Sequence, residues 1–116
     1  MSSEFKTDVV IEDAVGIVRV RGPLDARNAT ALLNQCNELR RKGHPRLVIN
    51  LSAVDFIASS GLGTILALCE EFKETGGRIR LADLSEPVSS VVDLLNLTEF
   101  LLIDSTEAAA VRALAA

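Results

Sequence analysis

Residues 47–64, LVINLSAVDFIASSGLGT, decide the fold of this chain. Leu47, Val48 and Ile49 form a continuous apolar run between polar residues, which is typical of a central strand covered on both faces. The small residues that follow predict a loop from Ser52 that leads into a helix beginning near Ser60. A strand that feeds directly into a helix is the building unit of α/β sheets.

The rest of the chain repeats this unit on both sides. Short β-branched runs at 9–11 and 17–21 predict an N-terminal hairpin, and further strands are predicted at 78–81 and 101–103. Apolar stripes at helical spacing predict three helices between these strands, the first capped by Asp25. A short terminal helix follows, with Asp104 and Glu107 arranged as a capping box. The order predicts an α/β fold with a mixed, mostly parallel sheet of about five strands and about four helices.

Length and composition restrict the possible functions. At 116 residues the chain has room for one core, so we expect residues 1–116 to form a single domain. A net charge of -4 and the absence of Trp and Tyr disfavour direct nucleic-acid binding, which uses clustered cations and stacking rings. No apolar run approaches the roughly 20 residues that cross a bilayer, and the N-terminus lacks a signal-peptide pattern. We therefore expect a cytoplasmic protein without membrane insertion.

Catalytic, metal and cofactor sites are not indicated. Cys36 and Cys69 lie in apolar helical patterns without metal-ligand spacing, which predicts buried free thiols. An enzyme would need a base beside Ser59, but the single histidine, His44, falls in a predicted loop and no Gly-x-Ser-x-Gly motif is present. Two glycines before a helix, without a Walker lysine, are a weak signal for phosphate binding. We expect no enzyme, no cofactor and no metal.

The junction before the second helix carries the functional signal. A serine at a helix N-terminus faces free backbone N–H groups and the positive end of the helix dipole, both of which favour an added phosphate. Phosphorylation of Ser59 would add about -1.5 to -2 charges and repel a partner docked over the loop. A purely structural interpretation also fits, in which Ser59 or Ser60 caps the helix while Gly61 and Gly63 allow close approach to the sheet.

Residues 47–63 closely resemble the STAS domain family, in particular its stand-alone anti-sigma-factor antagonists. The resemblance extends to Gly22-Pro23-Leu24-Asp25 upstream and to residues 76–81 and 85–88 downstream, and so covers virtually the whole chain. It implies a strand-helix superhelical α/β fold and a partner-switching cycle. In that cycle the unmodified antagonist binds an anti-sigma factor that is also a serine kinase, phosphorylation ends the binding, and a serine phosphatase restores it.

The resemblance also implies roles for individual residues. By position in the motif, Ser59 is the phosphoacceptor, Ser60 is its neighbouring cap, and Asp25 is an acidic residue near the binding surface. We further expect exposed Leu62, Thr64 or other residues of the second helix to line the docking surface beside Ser59. The partner-binding surface is then expected to comprise Asp25, Ser59, Ser60, Gly61, Leu62 and Thr64.

Two positions depart from the family's commonest pattern. Ala58 stands where an aspartate usually precedes the accepting serine, and Asn50 stands where an aspartate is frequent. Without these charges the unmodified surface is less acidic, so the binding contrast should depend more on the phosphate itself. Ala58 also keeps an alternative open, in which the chain is an unphosphorylated STAS scaffold within a transporter or a stress-signalling assembly.

Overall fold

The computed structural model describes residues 4–115, in which a five-stranded sheet carries four α-helices. In chain order the elements are β1 (Lys6–Glu12), β2 (Val15–Leu24), α1 (Ala26–Arg41), β3 (Arg46–Ile57), α2 (Ser59–Glu74), β4 (Arg78–Ala82), α3 (Glu86–Leu94), a 3₁₀ helix (Thr98–Phe100), β5 (Ile103–Asp104) and α4 (Glu107–Ala115). The strands lie side by side in the order β1-β2-β3-β4-β5. Only the β1–β2 pair is antiparallel among them, so the predicted mixed, mostly parallel α/β sheet is confirmed. The outermost ends of the predicted domain, residues 1–3 and 116, lie outside the described range.

The N-terminal hairpin turns through two residues. Asp13 (φ 51°) and Ala14 (φ 66°) both adopt the left-handed conformation, as in a type I′ turn, whose twist matches that of the flanking strands. The turn closes the register between Glu12 and Val15 and aligns β1 with β2 along its whole length. The predicted hairpin is therefore confirmed, with longer strands than the β-branched runs alone indicated.

The inner strands of the sheet are covered on both faces, by different helices. One core combines residues of α1, α2 and α3 with Leu47, Ile49 and Leu51 of β3. A second, smaller core combines Val48 of the same strand with residues of α4. Alternate residues of β3 thus enter opposite cores, which confirms the prediction of a central strand covered on both faces. Burying one such side chain contributes about 1.5–3 kcal/mol, so these cores hold the helices on the sheet.

The sequence predicts polar caps for α1 and α4, and the predicted residue is right only for α1. Asp25 caps α1, since its Oδ1 accepts a hydrogen bond from Asn28 N at 2.9 Å. The predicted capping box of α4 is wrong for Asp104. Its carboxylate instead binds the Arg80 guanidinium (Nε–Oδ2 2.6 Å), and Thr106 Oγ1 accepts from Ala109 N at 3.1 Å. The aspartate lies in β5, where its side chain faces the neighbouring strand and cannot reach the first turn of α4.

The predicted loop from Ser52 is wrong, because β3 continues to Ile57. Its pairing with β2 is irregular: Arg19 and Arg21 pair with Asn50 and Ala53, so β3 holds one extra residue there. A second irregularity follows between Gly22 and Pro23. Such bulges turn side chains out of simple alternation, which hides a strand from a period-two pattern.

Both cysteines are free thiols. Cys36 is buried and Cys69 is partly buried, and they lie on the neighbouring helices α1 and α2. Burial raises the pKa of each thiol to about 12. Both side chains therefore stay protonated at neutral pH and act as small apolar groups.

Candidate functional site

The β3–α2 junction presents two serines at the start of a helix. Ser59 and Ser60 are the first two residues of α2, and both are exposed. Ala58 is the N-cap residue and provides no side-chain hydrogen bond to the first turn. The expectation that Ser60 caps the helix is therefore wrong, as is the structural alternative with Ser59 as cap. Both side chains lie one position or more too far along the helix to act as the N-cap acceptor.

The backbone of this junction is tied to the end of β2. Ala58 N donates to Leu24 O at 3.0 Å, and Leu62 N donates to Ala58 O at 3.0 Å as the helix begins. A Cβ added to Gly61 would lie only 2.2 Å from Leu24 O. Gly61 is therefore required for the close approach of α2 to β2, which confirms that part of the structural interpretation.

Leu62 does not lie on the surface. Its side chain is 2% exposed and packs in the core beneath α2, and Gly61 is buried as well. The expectation of an exposed Leu62 is wrong because this residue begins the apolar stripe of the helix, and that stripe faces the sheet. Gly61 and Leu62 lie between the first turn of α2 and the sheet. A partner that approaches from solvent therefore contacts neighbouring residues and not these two.

Asp25 lies at the same end of the sheet as Ser59, where β2 and β3 finish. Leu24 pairs with Ile57, so the residues that follow these two strands leave the sheet side by side. Asp25 is half-buried, and its carboxylate accepts from the first turn of α1. The start of α1 is held further by Asn28 Nδ2, which donates to Pro23 O at 2.9 Å. The N-termini of α1 and α2 thus lie next to each other at this end of the sheet.

The residues before and after Ser59 in the sequence differ in their exposure. Thr64 lies one turn further along α2 and is half-buried, with its Oγ1 donating to Ser60 O at 3.1 Å. Gly63 is exposed, and a Cβ there would meet no atom within 4 Å, so the expectation that Gly63 allows close approach to the sheet is wrong. Phe56, near the end of β3, keeps 53% of its surface exposed. No sequence pattern predicts the exposure of this aromatic ring, because its segment is predicted as a loop.

The single histidine is not placed to activate Ser59 as a nucleophile. His44 follows α1 and precedes β3, so it lies at the amino end of that strand, whereas Ser59 follows the carboxyl end. The length of β3 separates the two side chains, and a general base must lie within hydrogen-bond reach. Within residues 4–115, no cluster of three or more His, Cys, Asp or Glu side chains could hold a metal ion.

A separate polar network lies on the α4 side of the sheet. Arg19 donates from Nη2 to Glu107 Oε1 at 2.7 Å and from Nε to Oε2 at 3.0 Å, and Asn50 Nδ2 donates to the same Oε2 at 2.8 Å. These hydrogen bonds, led by that from Arg19, lower the pKa of Glu107 despite its partial desolvation. The amide of Asn50 supplies a donor where an aspartate would set a second carboxylate against Glu107. Asn50 therefore contributes to this contact and not to the charge around Ser59.

No helix in the described part of the chain is long and apolar enough to cross a membrane.

Known proteins resemble this chain in sequence and in fold. A family model described as the STAS domain matches residues 6–110. The anti-sigma F factor antagonist of Paenibacillus polymyxa is 30% identical over 92 residues, which cover 78% of this chain and 79% of that protein. An anti-sigma factor antagonist from Mycobacterium paratuberculosis has a crystal structure with a TM-score of 0.83 and 27% identity, covering 96% of this chain and 94% of that one. The Bacillus cell fate determinant SpoIIAA in its phosphorylated form shares the fold, with a TM-score of 0.68 and 21% identity over 95% of this chain and 99% of that one.

Proposed function

The chain belongs to the STAS domain family, and from this premise we propose that it is an anti-sigma factor antagonist switched by phosphorylation of Ser59. In the unmodified state it binds an anti-sigma factor that also acts as a serine kinase, and the sigma factor is released. Phosphorylation of Ser59 by that kinase ends the binding, and a serine phosphatase restores it. Proteins of this kind are regulators and not enzymes, and the switch requires no cofactor.

The exposed Ser59, in the first turn of a helix whose N-cap residue makes no side-chain hydrogen bond, is the observation that carries the proposal. The N-cap residue is Ala58, whose methyl group cannot accept from the first-turn N–H groups of α2. A phosphate on Ser59 lies beside these donors and beside the positive end of the helix dipole, so it is accommodated without unfolding the helix. The modification therefore changes the surface and leaves the fold intact.

The groups around Ser59 suit a docking surface that a phosphate disrupts. Phe56 offers an exposed ring of the kind that often anchors protein interfaces. Gly63 and Thr64 leave the first turns of α2 open to a flat contact. A phosphate in the middle of this contact would have to lose water and would repel acidic groups of the partner. Asp25, at the start of α1, adds negative charge at the rim of the same surface.

Ala58 makes the charge at the start of α2 depend on the modification of Ser59. An aspartate at this position would cap α2 and would occupy the N–H groups that we assign to the phosphate. With alanine, the charge at the helix start changes only when Ser59 is modified. The binding contrast between the two forms then depends mainly on the phosphate.

Intact-mass spectrometry of the protein purified from its own cells tests the proposal. We expect a phosphate mass increment that fragmentation maps to Ser59 and that disappears in Ser59→Ala. Ser60→Ala is the matched control, because Ser60 is the adjacent exposed serine on the same turn, and this variant should keep the increment. An increment that maps to Ser60 would contradict the assignment of Ser59 as the phosphoacceptor. No increment under several growth conditions would contradict the proposal as a whole and favour the unphosphorylated scaffold.

A further inference from the structure

The two edges of the sheet differ in how well they are protected. At one edge β5 is only two residues long, and short edge strands offer little to a second chain. At the other edge β1 runs for seven residues, and among the strands of residues 4–115 it pairs only with β2. Its consecutive residues Val9, Val10 and Ile11 are 36%, 40% and 45% exposed. A long apolar edge of this kind is a template for pairing with another strand.

The hairpin turn determines which backbone groups of β1 face outward. In a two-residue hairpin the residues that flank the turn, here Glu12 and Val15, form a hydrogen-bonded pair. Because such pairs alternate along an antiparallel ladder, Val10 and Asp8 also direct their N–H and C=O groups toward β2. The N–H and C=O groups of Thr7, Val9 and Ile11 therefore point away from the sheet.

We propose that two copies of this chain dimerise by antiparallel pairing of their β1 strands around a twofold axis at Val9. In this register Val9 faces Val9 of the second copy, and Thr7 faces Ile11, so all the outward backbone groups of the strand find partners. Lys6 lies opposite Glu12 of the second copy, and the symmetry repeats this pair of opposite charges at the other end. The result is a continuous ten-stranded sheet, formed by two five-stranded halves.

The charges of β1 select this register over its neighbours. A twofold axis at Asp8 would set the two Asp8 carboxylates directly opposite each other. An axis at Val10 would set Asp8 opposite Glu12. Like charges directly across a ladder are destabilising, and opposite charges are favourable. The register at Val9 also pairs the whole strand, whereas each shift leaves residues at its ends without a partner.

The dimer leaves the proposed switch accessible. β1 runs antiparallel to β2, and the two β1 strands are antiparallel to each other, so β2 and β3 of one copy run opposite to those of the other. The carboxyl ends of the parallel strands, and with them Ser59, therefore lie at opposite ends of the joined sheet. One dimer can bind two anti-sigma factor molecules without a clash between them.

Sedimentation equilibrium of the full chain over a range from micromolar to millimolar concentration tests the dimer. We expect a reversible monomer–dimer equilibrium that is lost in Val9→Pro, because this change removes an outward N–H and leaves the bonds to β2 in place. Leu94→Ser alters another exposed apolar residue, remote from β1, and should leave the equilibrium unchanged.

Charge reversal keeps the test decisive even if the proline variant folds poorly. Lys6→Glu and Glu12→Lys should each weaken dimerisation by roughly tenfold or more, because each sets like charges opposite one another at both ends of the interface. The double variant Lys6→Glu/Glu12→Lys restores opposite charges and should restore the dimer to within about threefold. A protein that stays monomeric throughout, or a dimer that is insensitive to these changes or not restored by the double variant, would overturn the proposal.

Discussion

Alanine substitutions at Gly61 and Gly63 are expected to change stability in opposite directions, although the two glycines are one residue apart in the same helix. At Gly63 a Cβ meets nothing within 4 Å, so alanine only removes the entropic disadvantage of glycine in a helix. We expect Gly63→Ala to stabilise the protein by about 0.5–1 kcal/mol.

At Gly61 the same gain is opposed by a steric conflict. The new Cβ would lie 2.2 Å from Leu24 O, whereas ordinary contacts begin near 3.4 Å. This carbonyl cannot turn away without cost, because it accepts the hydrogen bond from Ala58 N at 3.0 Å. The start of α2 must therefore move by roughly 1 Å from the sheet, and overpacking of this kind costs about 1–3 kcal/mol.

Urea denaturation at neutral pH measures both effects. Taking about 2 kcal/mol for Gly61→Ala, the two variants should differ by about 3 kcal/mol in the free energy of unfolding. In a thermal scan, Gly61→Ala should lower the Tm by roughly 8 °C. The reasoning is refuted if Gly61→Ala is as stable as the parent protein, or if Gly63→Ala destabilises as strongly.

Three further predictions concern charge, thiols and binding. The pKa of Glu107 is lowered in the folded protein from its ordinary value of 4.5, so its ionic contacts stabilise above that pH and are lost as the pH falls through the folded value. The free energy of unfolding should therefore fall between about pH 5 and pH 3, and in Glu107→Gln this fall should be smaller by about 1 kcal/mol or less. The effect is small because solvent screens the half-exposed Arg19. A variant whose stability falls with acid as much as that of the parent protein would contradict this. Cys36 and Cys69, with pKa values of about 12, should react with a thiol reagent at pH 8 much more slowly in the native protein than in urea, and equal rates would count against their burial. Phe56→Ala should weaken binding to the anti-sigma factor by roughly tenfold or more in calorimetry. Phe100→Ala removes a ring that is even more exposed but lies outside the site, and it should not weaken binding; equal effects of both changes would exclude a local anchor.

The general order of elements was predictable because the local signals and the packing agree. The apolar stripe that begins at Leu62 faces the sheet in α2, and Asp25 caps α1 through its side chain. The turn at Asp13 and Ala14 joins two strands whose β-branched runs were visible in the sequence. In each case a single helix or hairpin carries its own signal, so no distant contact had to be known.

The errors arose where a distant contact decides the local structure. The extension of β3 to Ile57 depends on bulged pairing with β2, which breaks the alternation of buried and exposed residues. Asp104 has the spacing of a helix cap, but its carboxylate pairs with Arg80 on the adjacent strand. These partners lie far apart in sequence, and only the folded sheet brings them together.

The site was predicted in part. The resemblance selected Ser59, which the structure places at the exposed start of α2, and it located Asp25 at the neighbouring helix start. The resemblance does not distinguish the solvent-exposed face of the first turn from the face that packs on the sheet, so the expectation of an exposed Leu62 is wrong. Phe56 was missed because the segment before Ser59 was predicted as a loop, in which the direction of a side chain is not determined by the pattern.

The central claim is that a phosphate on Ser59 ends binding to the anti-sigma factor without unfolding the protein. Titration calorimetry of the cognate kinase-type anti-sigma factor with unmodified protein, and with protein homogeneously phosphorylated at Ser59, tests it most directly. We predict that phosphorylation weakens binding by roughly a hundredfold or more while the far-ultraviolet circular dichroism stays the same. Equal affinity of the two forms, or loss of binding together with loss of helical signal, would contradict the claim.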